Sequence, residues 1–153
     1  MNIIRKLSIL LALAVSALGS GCASNKSPYG DRTAVLIKNR ATKEIIESTI
    51  SVFQEKGFEV KISTKTDAIF ERKGNEWQAA TWGGWSGGGV WERATVRLSD
   101  YGAGAYLLEA DVKIIGDKGD AFMEDSRPLP RRARKPYQEM LNAVQVRMQG
   151  PPA

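Results

Sequence analysis

Thr42-Lys43-Glu44-Ile45-Ile46-Glu47-Ser48-Thr49-Ile50-Ser51-Val52-Phe53-Gln54-Glu55-Lys56-Gly57-Phe58-Glu59-Val60-Lys61-Ile62-Ser63 contains a change of period that decides the fold. In its first part Ile46, Thr49, Ile50 and Phe53 fall at i, i+3, i+4 and i+7, while Lys43, Glu44, Glu47 and Glu55 point elsewhere. That spacing predicts a helix with one face to bury. Thr42 is placed to cap its start and Gly57 its end. Directly afterwards Phe58, Val60 and Ile62 alternate with Glu59, Lys61 and Ser63, the period of a strand half buried against that helix.

Outward from this unit, Thr33 to Lys38 suits a first strand, and Ala68 to Lys73 pairs with residues 58–62 through a turn near Lys65 to Asp67. Two longer strands follow. Val90 to Ser99 carries Val90, Ala94, Val96 and Leu98 largely on one face, and Ala105 to Ile115 carries Leu108, Ala110, Val112 and Ile114. Asp100-Tyr101-Gly102-Ala103-Gly104 supplies the turn between them, and Glu76 to Trp82 is a candidate extra strand. Tyr137, Met140, Leu141, Val144 and Met148 mark a last helix, with Pro136 in its first turn and Gly150-Pro151-Pro152 after its end. The expected class is α+β, a curved antiparallel sheet of four to five strands with two helices on one face, in the order β-α-β-β-(β)-β-β-α. The stretch from Lys43 through Gly57-Phe58-Glu59-Val60 to Ala68-Ile69-Phe70-Glu71-Arg72 resembles the small helix-grip domains of bacterial envelope lipoproteins, including the accessory lipoproteins of the outer-membrane β-barrel assembly machinery. This resemblance covers about a third of the chain and implies a fold, not a partner or a site.

The first residues have the three parts of a secretory signal: Arg5 and Lys6, an apolar stretch from Leu7 to Leu18, and small residues before Cys22. The run Leu18-Gly19-Ser20-Gly21-Cys22 resembles the signal of bacterial lipoproteins, although Gly19 stands where the common motif has Leu. The resemblance implies that the thiol of Cys22 is acylated and becomes the mature N-terminus. An ordinary cut after Ala23 is the alternative. A permanent anchor is disfavoured because the apolar run of 12 residues falls short of the roughly 20 that span a bilayer. The expected organisation is therefore a signal peptide at 1–21, a lipidated flexible tether at 22–32, rich in polar residues with Pro28 and Gly30, and one α+β domain at 33–150. Acyl chains would hold that domain to a membrane essentially permanently. By the same resemblance Ala23, following the cysteine, favours the outer membrane, with the domain facing the periplasm.

Composition narrows the chemistry. Cys22 is the only cysteine and there is no histidine, so disulfides, ordinary zinc sites, Cys/His or Ser/His nucleophile pairs and an imidazole base are outside the chain's means. The net charge of +5 falls to +3 without Arg5 and Lys6, too mild an excess for dedicated nucleic-acid binding. No cofactor or metal is expected.

Three features are candidates for function. The four tryptophans lie between Trp77 and Trp91 around a glycine-rich run, Trp82-Gly83-Gly84-Trp85-Ser86-Gly87-Gly88-Gly89-Val90-Trp91. Trp82 and Trp85 fit either an aromatic binding loop or the closed end of a core, whereas Trp77 and Trp91 read better as strand residues. Arg127, Arg131, Arg132, Arg134 and Lys135 form a basic run broken by Pro128, Pro130 and Pro136, either an acid-binding patch or a solvated loop. Asp117, Asp120, Glu124 and Asp125 crowd one loop, but their spacing fits no calcium loop and reads as a polar turn rather than paired catalytic carboxylates. The expected function is thus a non-enzymatic, membrane-anchored domain that binds an envelope protein or glycan through Trp82, Trp85 and the arginines. The alternative is a small apolar-ligand binder with a tryptophan lid.

Overall fold

The computed structural model describes residues 29–74, 89–119 and 124–150. In chain order these form β1 (Thr33–Lys38), α1 (Thr42–Glu55), β2 (Glu59–Ser63), β3 (Asp67–Lys73), β4 (Val90–Gly102), β5 (Ala105–Gly116), β6 (Asp125–Pro128), a 3₁₀ turn (Arg131–Arg134) and α2 (Lys135–Gln149). The class is the expected α+β. The sheet runs β1-β5-β4-β3-β2, antiparallel throughout, and β6 adds a short sixth strand against β5.

Helix α1 buries Ile45, Ile46, Thr49, Val52 and Phe53, a wider stripe than the four expected positions. Ala41, not Thr42, occupies its N-cap, and no side chain caps it. At its end Gly57 adopts φ +81°, a left-handed turn that a β-carbon would strain. There Gly57 N donates to Gln54 O at 2.9 Å and Phe58 N to Phe53 O at 3.1 Å, which turns the chain straight into β2. The ring of Phe53 stacks on Phe70 of β3 with centroids 4.3 Å apart and meets the edge of Phe58 at 5.5 Å; Phe58 in turn meets Tyr137 of α2 at 6.0 Å. Burying such rings stabilises the fold by roughly 1.5–3 kcal/mol each. Val35, Val96, Leu98, Leu108, Val112, Leu141 and Val144 complete this core between the sheet and both helices.

The two edges of the sheet differ. Along β1, Gln138 of α2 donates to Ala34 O at 3.0 Å and accepts from Ala34 N at 3.1 Å, and Gln145 and Gln149 donate to Leu36 O and Lys38 O. The helix thereby satisfies an edge that would otherwise invite pairing. Among the described residues strand β2 has no such cover; its register with β3 shifts between Val60 and Ile62, and Ile62 is 53% exposed instead of half buried as its alternation predicts. A short strand, a bulge and the exposed Lys61 are the usual blunting devices of an open edge. The β4–β5 hairpin closes through Ala103 and Gly104, both with positive φ, as a tight hairpin turn requires.

Candidate functional site

Among the described residues one face of the sheet is covered by the helices and the other carries no helix. On the covered face Glu92 stands in phase with Val90, Ala94, Val96 and Leu98 and is 3% exposed. Its carboxylate accepts from Tyr137 Oη at 2.7 Å and from Arg72 Nε at 3.0 Å, while Arg72 Nη1 donates to Lys56 O at 3.0 Å and the guanidinium lies 4.3 Å above the Phe58 ring. Burial, and next the negative charge of Glu92, push the Tyr137 phenol far above its ordinary range, which keeps it a donor. Every polar group here has a partner inside the protein, as a buried charge requires.

The open face is charged in cross-strand rows. Asp67, Arg97 and Glu109 lie side by side on β3, β4 and β5, as do Glu71, Arg93 and Lys113. Arg97 Nε meets Asp67 at 3.0 Å and Arg32 meets Glu109 at 3.2 Å. Hydrogen bonds from Thr66 and from Arg97 hold the Asp67 carboxyl below its usual range. Near the end of the sheet Glu71 is nearly buried beneath the chain that follows β5: Lys118 and Arg93 both donate to it, Lys118 Nζ sits 3.9 Å over the Trp91 ring, and Glu124 approaches Arg93 at 3.8 Å. Burial works against the charge of Glu71, but the bonds from Lys118 and Arg93 outweigh it and hold its carboxyl below the usual carboxylate range.

Between these rows and the split edge lies a groove of about 610 Å³ lined by Asp31, Arg32, Thr95, Arg97, Glu109, Asp111, Lys113 and Arg134. Its origin is topological. β1 pairs with β5 only as far as Ala110 and β6 begins pairing at Lys113, so on that edge β5 has no strand beside Asp111, which pairs with Thr95 of β4 on its other side. The ion pair of Arg131 with Asp31, 2.9 Å, links the two sides of that gap. Among the described residues Asp111 and Lys113 make no side-chain hydrogen bond or ion pair, and Arg134 spends only its Nε, on Leu129 O at 2.8 Å.

The residues singled out by sequence are distributed unevenly over this structure. Cys22, Trp77, Trp82, Trp85 and Asp120 lie outside the described residues. Gly74 and Val90, which flank the tryptophan-bearing connection, are held together by Gly74 N donating to Val90 O at 2.7 Å. The basic run does not act as one patch. Arg127 belongs to β6 opposite Ile114, on the helix side, and pairs with Asp125; Arg131 is spent on Asp31; Arg134 reaches the groove; Arg132 is exposed and makes no side-chain hydrogen bond or ion pair among the described residues. In the acidic loop Glu124 accepts from Gly119 N at 3.1 Å and Asp125 accepts from Arg127, while Asp117 is buried with φ +49°. Among the described residues no group of three or more His, Cys, Asp or Glu side chains could hold a metal ion. Among the same residues no helix is long and apolar enough to cross a membrane. Sequence reasoning missed Glu92, Glu71, Lys118 and the groove itself; only Glu92, a charge in the apolar phase of β4, left a local signal.

No protein-family model matches the chain, and no curated protein matches it.

Proposed function

We propose that this chain is an exported envelope lipoprotein, anchored through Cys22 and probing its surroundings with a non-enzymatic domain that binds a protein or an envelope polymer. The observation that carries the binding part is the groove on the open face, where Asp111, Lys113 and most of Arg134 keep hydrogen-bonding capacity that the fold does not use. A polar group that no internal partner occupies costs nothing in water and gains when a complementary ligand arrives. The arginine turn adds Arg134 to this groove, and Trp82 and Trp85 remain candidates for contact from the sequence alone. The space between the sheet and the helices is occupied by Phe53, Phe58, Phe70, Tyr137, Leu141 and Val144, which favours a ligand bound outside over one enclosed within.

The anchoring part rests on the leader and its Gly21-Cys22 junction. Intact-mass measurement of the membrane fraction tests it: a mature N-terminus at Cys22 carrying acyl chains is expected, and Cys22→Ser should release the protein into the soluble fraction. An unmodified mass, or unchanged membrane association of Cys22→Ser, would overturn it. The binding part is tested by photo-cross-linking in the native cells from probes at Trp82, Trp85 and Arg132. Reproducible capture of one envelope protein or glycan is expected; no capture from any of the three positions would sink the binding surface as drawn.

A further inference from the structure

We infer that the open-face groove takes a short peptide carrying more free carboxylates than free amines, of the kind displayed by the cross-linking peptides of a cell-wall polymer. The inference rests on the envelope location proposed above. Its volume, about 610 Å³, lies within the range of sites that hold small ligands or a few residues of a chain.

The charge balance of the lining selects the ligand. Arg32 is neutralised by Glu109, Arg97 by Asp67 and Asp31 by Arg131, so the four of these that line the groove, Asp31, Arg32, Arg97 and Glu109, form walls rather than recognition groups. What remains unpaired is two cations, Lys113 and Arg134, against one carboxylate, Asp111. Two ligand carboxylates and one ligand amine would complete that set. Charge-assisted bonds of this type are about twice as strong as neutral ones. Asp111 and Lys113 alternate on one face of β5, roughly 7 Å apart at the rise of a strand. That spacing matches groups on successive same-side positions of an extended peptide. The Thr95 hydroxyl on the groove floor offers a further donor or acceptor.

Other ligand classes fit less well. A phosphate-rich head group with no amine would bring a like charge to Asp111, the one lining carboxylate that no cation neutralises, and leave it without a partner. A neutral glycan would leave the unpaired ions unpaired. An apolar segment finds no large apolar side chain along the lining.

The test uses the full-length mature protein in detergent, mixed with isolated cell-wall sacculi and sedimented. Parallel sacculi are stripped of their peptides with an amidase, which leaves the glycan strands. Wild-type protein is expected to sediment with intact sacculi and at least tenfold less with stripped ones. Lys113→Glu and Asp111→Lys should each weaken sedimentation about tenfold without changing the thermal midpoint by more than a few degrees. Lys43→Glu, on α1 away from the groove, makes the same change of net charge as Lys113→Glu and should bind as wild type. Equal binding to stripped sacculi would overturn the peptide assignment, and an equal loss in Lys43→Glu would reduce the effect to bulk charge and overturn the groove. No sedimentation of wild type with intact sacculi would also overturn it, while leaving the protein-partner reading to be decided by cross-link capture.

Discussion

The two faces of the sheet treat charge in opposite ways. On the helix-covered face a carboxylate, Glu92, is shut away from water, and a phenol and a guanidinium are brought to it from α2 and β3. On the open face many more charges are present, yet several ion pairs there involve exposed side chains and the groove leaves three groups without partners. The difference teaches where stability and recognition reside. A buried charge must be satisfied by the fold, because desolvation cannot be recovered otherwise; an exposed charge contributes little to stability and remains available.

The comparison breaks most visibly at the centre of the covered face. Phe53→Ala removes a fully buried ring that stacks on Phe70 and should cost about 3–5 kcal/mol, measured as a fall in the urea midpoint. A loss under about 1 kcal/mol would mean that the aromatic core is not close-packed there. Next, Glu92→Gln leaves Arg72 without its charge partner; because Arg72 remains partly exposed, about 2 kcal/mol is expected rather than the full cost of an orphaned buried ion. Tyr137→Phe, which removes one hydrogen bond to the same carboxylate, should cost about 1–2 kcal/mol.

Glu71 sharpens the contrast because it is a carboxylate on the open face that the fold nevertheless buries. Its pKa in the folded protein lies below the unfolded value, so its contribution is present above the unfolded carboxylate pKa of about 4.3 and is lost as pH falls through the lower folded value. The groups that set this are Lys118 and Arg93, with Glu59 of β2 close enough to feel the same Lys118. Stability followed against pH should therefore decline less steeply below about pH 4.3 in Glu71→Gln than in wild type. Identical acid limbs in the two proteins would remove Glu71 from the account. At the smallest end, Lys113→Ala and Arg97→Ala should each leave stability within about 0.5 kcal/mol, the ordinary effect of an exposed charge.

The covered face was largely legible in the sequence, because burial imposes period. The stripe of Ile46, Thr49, Ile50 and Phe53 and the alternation along β4 and β5 identify helix and strand, and Gly57 marks the reversal between them. Glu92 was legible in principle as a charge in phase with Val90, Ala94 and Val96. The open face was not. Strand β6 is four exposed residues that include Arg127 and Pro128, and a run so short, with no buried side, carries no alternation to read. It shapes the groove, since the sharing of one edge of β5 between β1 and β6 leaves a gap in that edge beside Asp111. Nor does any local pattern announce that Lys118, from the turn after β5, reaches Glu71 on β3, 47 positions earlier in the chain. The basic run illustrates the same limit: seven positions apart in sequence, Arg127 and Arg134 end on different sides of the sheet because β6 and the 3₁₀ turn orient them separately.

The claim that recognition belongs to the open face is tested most directly by placing photo-cross-linking residues in the full-length protein in its native cells, at Arg97 and Thr95 on the open face and at Asn142 and Glu139 on α2. Capture of the same envelope component from both open-face positions, with none from the helix, is the predicted result. Capture confined to the helix positions, or equal from the two faces, would contradict it.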